Sequence, residues 1–495
     1  MKFTKYFSFA VLALAATSCS EDLMDDINKN NGNPEAESVD AKFEFPGIIV
    51  NTAFETVSGD YAFYAASYTE QMFGTGSNQL AKAELRNSGE TAASSTFNNV
   101  WNSTYGSMRA CKEAIDKCAE GKVNAGQNDI KGVAEVLMAA NLGVLTDMHG
   151  DVPYSEALQG QDNLTPKIDS QKDIYTAIFK LLDDAIADLT AAQENDESNI
   201  GSQDILFDGD YNQWIGYAYA LKARHTLHTQ KVDANAITKA LEYATKAVNE
   251  YGFSGAELAI FDGVTNDNPW TAFFWSREYS ASSTTVAALM AERNDPRLGA
   301  YTTPLFGTFD TGNPGDALQA NNFESLAAPS WLNNGTATVN LLSKSEIFFI
   351  IAECQARLGQ DASSAFATAV GASIVDYAIA DANTMGVDTS AIGTYIASLP
   401  VTLKEIMVQK YLAQARGEQV EAYNDIRRAK ANGEEFIVLT NPNNSNSLGN
   451  AWPLRMPYAE SDVRSNPNVR EAFGSGNDAG RYVFTENIWW AGGSR

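Results

Sequence analysis

The chain is built mainly from short segments with the apolar periodicity of amphipathic helices, and this pattern limits its possible folds more than any other feature. One of the clearest segments begins at Ser170, which has capping-box spacing to Asp173. The apolar positions that follow on one helical face are Ile174, Ile178, Leu182, Ala185 and Leu189. Similar segments cover residues 94–119, 128–147, 211–230, 235–250, 344–358, 361–380 and 402–430. Short turns between them predict a mainly α scaffold of tetratricopeptide-like helical hairpins with little β structure.

Long irregular stretches lie between the helical segments, chiefly at 252–283, 299–340 and 433–488, and they are rich in Gly, Asn, Pro and aromatic residues. Long segments without regular structure in a compact protein are commonly functional. We therefore expect ligand-binding loops in the first two stretches. Because no strong linker divides the chain, residues 41–495 should form a single body with loop-rich insertions at about 252–340 and 433–488.

The N-terminus has the composition of a secretory leader that ends at Cys19. Lys2 and Lys5 supply positive charge, and a short apolar region follows at residues 7–16. This apolar region is too short to span a bilayer. A cysteine directly after such a leader resembles the lipidation site of bacterial lipoproteins, although Ala16 stands where a larger apolar residue is usual.

This arrangement predicts a lipoprotein signal peptide at 1–18 and lipidation of Cys19, and the alternative is a plain secretory leader that ends at a cysteine by chance. Residues 19–40 are polar, acidic and rich in asparagine, which predicts a flexible tether. After the leader, no uninterrupted apolar run reaches the roughly 18 residues of a membrane span. We therefore expect the lipid on Cys19 to be the membrane attachment.

The chain is strongly acidic, with a formal net charge of −27 at pH 7. Removal of the leader takes away Lys2 and Lys5 and leaves about −29. A surface of this sign repels nucleic acids, anionic lipid head groups and acidic polysaccharides, so we expect a neutral ligand and no nucleic-acid partner. Solubility at a crowded cell surface is a second explanation of the acidity.

The spacing of nucleophiles, bases and carboxylates gives no convincing catalytic constellation, so we expect a protein that is not an enzyme. Glu418, Glu421 and Asp425 lie at helical spacing beside Arg427 and Arg428. This spacing is typical of a salt-bridged helix face rather than of a glycosidase carboxylate pair.

The sequence also predicts no metal ligands and no cofactor. His225 and His228 could present two nitrogens one helical turn apart, but they continue the line of Trp214 and Leu221, and no neighbouring Cys or Glu completes a zinc set. We therefore expect packed histidines. Oxygen donors for a structural calcium ion, without the spacing of a known calcium loop, are Asp262, Asn266 and Asp267.

Aromatic residues in the irregular stretches are the better indication of function. Residues 261–279 contain six aromatics among Asn, Asp and Arg. A sugar has an apolar C–H face and a rim of hydroxyls, so its binding site needs a flat ring and planar polar groups. The predicted ligand-binding residues are Trp270, Trp275, Trp331, Arg277 and Asn268. Trp101 and Tyr105 are weaker candidates because they continue a helix face, and for each aromatic the alternative is packing against the core.

Seven stretches, in an order and spacing that cover nearly the whole mature chain, carry a family resemblance. They are Asp147 to Leu158, Gly209 to Arg224, Asn294 to Leu298, Glu346 to Gly359, Glu421 to Arg428, Arg455 to Tyr458 and Val483 to Trp490. Together they resemble the SusD/RagB family of outer-membrane nutrient-binding lipoproteins.

The resemblance implies a SusD-like helical scaffold with an irregular ligand-binding region, and display on the outer surface of the cell by the lipid. It also implies a SusC-like TonB-dependent barrel transporter as partner, over which the lipoprotein acts as a hinged lid. Many members bind oligosaccharides, which makes glycan capture the expected function. Some members resemble peptide-binding components, so a RagB-like peptide receptor is the alternative. The matching stretches are mostly scaffold, and no binding residue is transferred from them.

Overall fold

The computed structural model describes residues 36–494 apart from 77, 305–306, 317–324, 382–385 and 444–450. Cys19, the signal peptide and most of the tether therefore lie outside the described residues. The described part of the chain is mainly α-helical. Its α-helices are α1 Phe45–Asn51, α2 Asp60–Tyr68, α3 Gln79–Glu84, α4 Ser88–Thr91, α5 Asn98–Lys117, α6 Asn128–His149, α7 Gln171–Glu194, α8 Tyr211–His228, α9 Ala236–Asn249, α10 Pro269–Arg277, α11 Thr284–Glu292, α12 Leu298–Tyr301, α13 Lys344–Arg357, α14 Ser363–Ala380, α15 Ile392–Ser398, α16 Leu403–Gln414, α17 Gln419–Ala431, α18 Glu460–Ser465, α19 Pro467–Phe473 and α20 Tyr482–Thr485.

Short irregular helices supplement these elements. A π-helical turn at Thr52–Val57 follows α1 directly. The 3₁₀ turns are Ala36–Ser38, Ala41–Glu44, Gly160–Asp162, Gly201–Gln203, Thr229–Lys231, Ser330–Asn333, Thr389–Ala391, Gly476–Asp478 and Trp489–Ala491.

The scaffold is a series of antiparallel helical hairpins stacked side by side. Helices α5 and α6, α8 and α9, α13 and α14, and α16 and α17 each follow one another after a short connection and pack together. Helix α7 packs against both α6 and α8, and α9 packs against α13, so the hairpins form one continuous layer. This arrangement confirms the mainly α, tetratricopeptide-like prediction.

Helix α6 is the centre of the scaffold. Apolar and small side chains cover it on every side, and nearly all of its residues are buried, as expected for a helix inside a core. The helix ends at His149, and Gly150 follows with φ 81°. A Cβ at Gly150 would lie 2.7 Å from Nη2 of Arg455, so this position requires glycine.

One described helix, α14, has the length and composition of a membrane span, with a mean hydropathy of 1.3 over 18 residues. Its buried side chains include Phe366, Val370 and Ile374, and the helix packs on α13 and α16. These contacts are those of a core helix in a helical stack.

The described strands form two short antiparallel pairs. Strand β1, Met72–Gly74, pairs with β3, Ser280–Ser282. Strand β2, Ala256–Leu258, pairs with β4, Val339–Leu342, and places Ala256 opposite Leu342. The segment 256–342 therefore leaves the helical scaffold and returns to it at the same point.

Two of the predicted irregular stretches contain more regular structure than expected. Helix α10 lies within 252–283. It begins there because Asn268 caps it by accepting from the backbone N of Trp270, and Pro269 occupies its first turn. Helices α18, α19 and α20 lie within 433–488. The dense aromatic sequence of α10 has no simple apolar stripe, which is why its periodicity was not visible.

Candidate ligand-binding face

Three chain segments meet at one side of the molecule, and we call them the loop face: residues 72–79 without 77, 273–284 and 307–316. Strands β1 and β3 join the first two segments, with Phe73 opposite Ala281. Gly312 joins the third, since its N donates to the carbonyl of Ser282 at 2.8 Å. A Cβ at Gly312 would lie 2.2 Å from Cγ of Phe73, so the close approach of the segments requires glycine.

Trp275 is an exposed aromatic residue of this face. Helix α10 buries Trp270 and Phe274 and turns Trp275 outward, with 46% of the residue exposed. Arg277 and Glu278 beside it are also exposed, and Glu278 ends the helix in the left-handed conformation at φ 54°. The guanidinium of Arg277 makes no ion pair with any residue that the structure describes. This part of the face therefore combines an accessible ring with polar groups that are free to bind.

A row of aromatic rings connects the loop face to the core. Trp331 packs edge-on against Trp270 with 5.3 Å between ring centroids, and Trp270 packs against Phe63 at 4.5 Å. Phe63 stacks on Phe273 at 3.9 Å, and Phe273 contacts Tyr279 at 5.5 Å. These contacts hold the end of α10 in place, so the face has a rigid backing.

The structure separates the residues predicted to bind ligand. Trp275 and Arg277 lie on the loop face, whereas Trp270 is 2% exposed and Trp331 is 1% exposed. Asn268 is also buried, and its Nδ2 donates to the carbonyl of Ala337 at 2.8 Å. Packing, the alternative interpretation for these aromatics, fits the burial of Trp270 and Trp331, and a ligand contact by either stays a prediction.

Trp101 and Tyr105 lie on α5, away from the loop face. The indole Nε1 of Trp101 donates to Asp462 at 3.0 Å, and the ring is 1% exposed. The hydroxyl of Tyr105 donates to the carbonyl of Pro153 at 2.6 Å. Both side chains thus tie α5 to neighbouring segments of the scaffold.

Phe309 is an exposed aromatic of the loop face that the sequence interpretation did not select. It is 63% exposed, in the segment that contains Gly312. An aromatic residue in a glycine-rich stretch without helical periodicity was the available signal. Tyr279, half-buried at the end of the aromatic row, was counted among the loop aromatics but not selected either.

The carboxylates Glu418, Glu421 and Asp425 are buried and point to different partners. Asp425 pairs with Arg428 at 2.7 Å, as the predicted salt-bridged face requires. Glu418 accepts instead from the backbone N of Ser343 at 2.7 Å. The face is therefore internal to the stack rather than exposed to solvent.

A cluster of ionisable groups lies inside the stack, and we call Asp147, Tyr175, His225, His228 and Glu421 the buried histidine cluster. Nδ1 of His228 lies 3.2 Å from Oδ2 of Asp147, and its Nε2 lies 3.0 Å from Oε2 of Glu421. Nδ1 of His225 lies 3.6 Å from the same oxygen of Asp147. Both histidines are packed, as expected, but their carboxylate partners come from α6 and α17. Those partners are far away in sequence, which is why they were missed.

The two histidines have opposite protonation behaviour. Burial lowers the pKa of His225 to about 4, so its ring is neutral near pH 7. Burial also opposes protonation of His228, but the carboxylates of Asp147 and Glu421 outweigh it and raise the pKa to about 9. The interior of the stack therefore stabilises one positive charge between these two carboxylates.

The comparisons with known proteins agree with the fold. Residues 51–459 match the family model described as starch-binding proteins that associate with the outer membrane. The chain belongs to this SusD-like family. A SusD/RagB family protein from Bacteroides thetaiotaomicron is 35% identical, with a TM-score of 0.82 over 92% of this chain and 100% of that one. A comparison with curated protein sequences found no match.

More distant SusD homologues share the fold alone. One from Bacteroides fragilis is 19% identical, with a TM-score of 0.70 over 92% of this chain and 100% of its own. A chitin-binding SusD homologue from Flavobacterium johnsoniae is 18% identical, with a TM-score of 0.70 over 91% of this chain and 98% of its own.

The stretch 147–158, which resembled the SusD-like family, is scaffold in this structure. Oδ1 of Asp151 accepts from the backbone N of Gln171 at 2.8 Å, at the start of α7. Asp169 also binds the stretch, because its Oδ2 accepts from the backbone N of Tyr154 at 2.9 Å. These bonds hold the connection between α6 and α7, so this stretch stabilises the helical stack.

Proposed function

We propose that the protein binds a neutral oligosaccharide at the loop face. The observation that carries this proposal is the half-exposed ring of Trp275 beside the guanidinium of Arg277 and the carboxylate of Glu278. Both charged groups are exposed, and within the described part of the chain Arg277 forms no ion pair. The ring offers a flat apolar surface to the C–H face of a sugar, while the charged groups can bind its hydroxyls. The family description as starch-binding supports a glycan ligand, and so does the shared fold of a homologue described as chitin-binding.

The proposed role is capture without catalysis. The strong negative charge of the chain disfavours acidic polysaccharides, so neutral glycans are the expected ligands. Incubation of the protein with maltooligosaccharides or chitooligosaccharides should leave them intact in a chromatographic assay. Release of shorter sugars would show a glycosidase instead.

The captured glycan would pass to a SusC-like TonB-dependent barrel transporter, over which this protein acts as a hinged lid. The membrane attachment would be a lipid on Cys19, and the tether would end where the body begins. That end is defined, because Asn124 accepts from the backbone N of Ala41 at 3.0 Å and donates to Asp40 at 2.8 Å. Residues 19–40 before this point would supply the hinge, and the outer-membrane association of the family supports the location.

Calorimetry with a panel of neutral oligosaccharides and peptides tests the ligand. Binding of at least one sugar, with little dependence on salt, is expected because stacking is not screened by ions. Silence toward every sugar, together with salt-sensitive binding of basic peptides, would establish the peptide-receptor alternative.

The attachment is tested separately with Cys19→Ala. This variant should bind ligand in solution as the wild type does but should be lost from the outer membrane of cells. Retention in the outer membrane, or loss of ligand affinity in solution, would contradict the tether.

A further inference from the structure

We propose that Asp147, His225 and His228 form a site for one divalent transition-metal ion of the zinc class inside the helical stack. The three side chains each bring one ligand atom into a group whose members all lie within 4.8 Å of one another. Carboxylate oxygen and imidazole nitrogen are the donors that Zn²⁺ and similar ions prefer.

The separations between Oδ2 of Asp147 and the two ring nitrogens fit a tetrahedral ion. Ligands about 2.0–2.1 Å from a tetrahedral centre lie roughly 3.3–3.4 Å from one another. Oδ2 of Asp147 lies 3.2 Å from Nδ1 of His228 and 3.6 Å from Nδ1 of His225, on either side of that value. An ion can therefore bind with small side-chain movements.

Unpartnered polar atoms point to the same site. Neither ring nitrogen of His225 has a hydrogen-bond partner among the described residues, although the side chain is only 2% exposed. Oδ2 of Asp147, 1% exposed at the side chain, makes no well-aligned hydrogen bond with the described residues, although Nδ1 of His228 lies 3.2 Å from it. Buried polar atoms without partners are rare and costly, and an ion would satisfy Oδ2 and Nδ1 together.

The remaining atoms of the ligands are held as metal ligands usually are. Oδ1 of Asp147 accepts from the hydroxyl of Tyr175 at 2.5 Å and from Nε1 of Trp490 at 2.8 Å, which leaves Oδ2 for the ion. Nε2 of His228 faces Oε2 of Glu421 at 3.0 Å. A ligating histidine commonly donates its second N–H to a carboxylate in this way.

Gly143 makes room for the other histidine. A Cβ at this position of α6 would lie 2.4 Å from Cε1 of the His225 ring. The ring can therefore approach the helix that carries Asp147 only because residue 143 is glycine.

A proton on His228 is the competing explanation of the cluster. The charged groups that surround it are the carboxylates Asp147 and Glu421 and two guanidiniums, Arg224 at 3.8 Å from Glu421 and Arg427 on the backbone carbonyl of Asp147 at 2.7 Å. The two carboxylates favour a positive charge between them, whether a proton on His228 or a metal ion supplies it. A proton would leave both nitrogens of His225 unpartnered, however, whereas an ion would bind one of them.

A cleft lies next to the site. A cleft of about 290 Å³ is lined by Tyr175, Phe179, Tyr243 and Trp489, and Thr226 next to His225 also faces it. Tyr175 lines this cleft and also reaches the cluster, because its hydroxyl lies 3.2 Å from Nδ1 of His228. A rotation of Tyr175 would admit an ion, and its hydroxyl or a water molecule could complete the coordination.

The test measures metal content on the purified full chain without a histidine tag. The protein is loaded with Zn²⁺ or Co²⁺, dialysed, and analysed for bound metal. We expect one retained ion per chain and, with Co²⁺, the visible absorption of a four-coordinate centre. The variant His225→Phe should lose both signals. His149→Phe is the matched control, because His149 is the remaining histidine, buried beside Tyr61 and outside this cluster.

Wild-type protein that retains no ion, or equal metal content in wild type and His225→Phe, would overturn the site and leave the protonated His228 as the explanation. Two further measurements do not depend on the folding of His225→Phe. Glu421→Gln should weaken the affinity about 10- to 100-fold, since it removes the carboxylate behind His228. A chelator should lower the melting temperature of the zinc-loaded wild type, and an unchanged melting temperature would count against the proposal.

Discussion

Arg428 and Glu353 form a two-point ion pair inside the helical stack, with Nη1 to Oε1 at 2.6 Å and Nη2 to Oε2 at 2.8 Å. The pair joins α17 to α13, and both side chains are at most 1% exposed. Arg357 and Lys410 also approach Glu353, at 2.8 and 3.6 Å. Burial opposes the charge of Glu353, but the three cations hold its pKa well below the usual value. Glu353 is therefore the counter-ion on which several buried cations depend.

Replacement of this carboxylate should be strongly destabilising. Glu353→Gln leaves Arg428 with an incomplete set of partners in the interior, and we expect a loss of about 3–5 kcal/mol in the free energy of unfolding. Chemical denaturation measures this loss. Glu434→Gln is the control, because Glu434 binds Arg357 in a partly exposed position and should cost about 0–1 kcal/mol. Equal losses in the two variants would show that the buried ion pairs of Glu353 contribute no more to stability than the partly exposed ion pair of Glu434.

Trp275→Ala should weaken ligand binding without affecting folding. If the ring is a central stacking platform, the loss is about 1–3 kcal/mol of binding free energy, measured by calorimetry with the tightest-binding oligosaccharide. Phe43→Ala is the control, since Phe43 is also an exposed aromatic, 59% exposed, and lies in the N-terminal 3₁₀ turn. Unchanged affinity in Trp275→Ala would remove this residue from the site.

Trp270→Ala should act on stability instead. Trp270 contacts Trp331 and Phe63 in the interior, so its truncation leaves a cavity and should cost about 3–5 kcal/mol in the free energy of unfolding. Denaturation curves measure this cost. A variant that folds with wild-type stability but no longer binds sugar would identify Trp270 as a stacking residue, as the sequence first predicted.

Gly150→Ala should destabilise the end of helix α6. Gly150 has φ 81°, and the added Cβ would lie 2.7 Å from Nη2 of Arg455, so backbone strain and a clash combine to cost roughly 2–4 kcal/mol. Gly160→Ala provides the comparison, with φ 60° but no atom within 4 Å of the new Cβ. It should cost only about 1 kcal/mol in thermal unfolding. Similar costs at both positions would mean that Arg455 moves aside.

Glu84→Gln should change how stability depends on pH. Burial raises the pKa of Glu84 to about 8 in the folded protein, whereas its usual value is 4.5. The folded state therefore binds the proton more tightly than the unfolded state, and wild-type stability falls as pH rises from about 4.5 to about 8. The glutamine variant has no proton to release at this position, so its stability does not fall in this way as pH rises. We expect equal stability near the lower pH and an advantage of roughly 1–3 kcal/mol at the upper one in urea unfolding. A difference that does not vary with pH would contradict this assignment.

The helical scaffold was predictable from sequence because its signals are local. Ser170 does cap α7 by accepting from the backbone N of Asp173 at 3.2 Å, and Ile174, Ile178 and Leu182 are buried on one face. Capping residues and apolar spacing act within one or two turns, so they are visible without knowledge of the tertiary structure.

The candidate site was predictable only in part, because its geometry depends on distant contacts. Trp270 and Trp275 lie on the same short helix, yet one is buried and the other half-exposed. Phe63 and Trp331, far away in sequence, decide which side of α10 faces the core. Composition identified the right segment but could not distinguish a ring that supports the site from a ring that a ligand can reach.

The pairing of β2 with β4 has a consequence for how proteins of this architecture diversify. Because Ala256 lies opposite Leu342, the segment between them begins and ends at neighbouring points of the scaffold. A different segment with the same two ends would add little loop-closure entropy. It would have to replace the contacts that this segment makes with helix α16, where Arg293 pairs with Glu405 at 2.8 Å and Arg297 donates to Gln409 at 2.5 Å. The junctions of the present segment with the scaffold are therefore the strand pairs together with these buried side-chain contacts. Proteins of this architecture can therefore acquire new binding specificities by changing this segment while the helical scaffold stays the same.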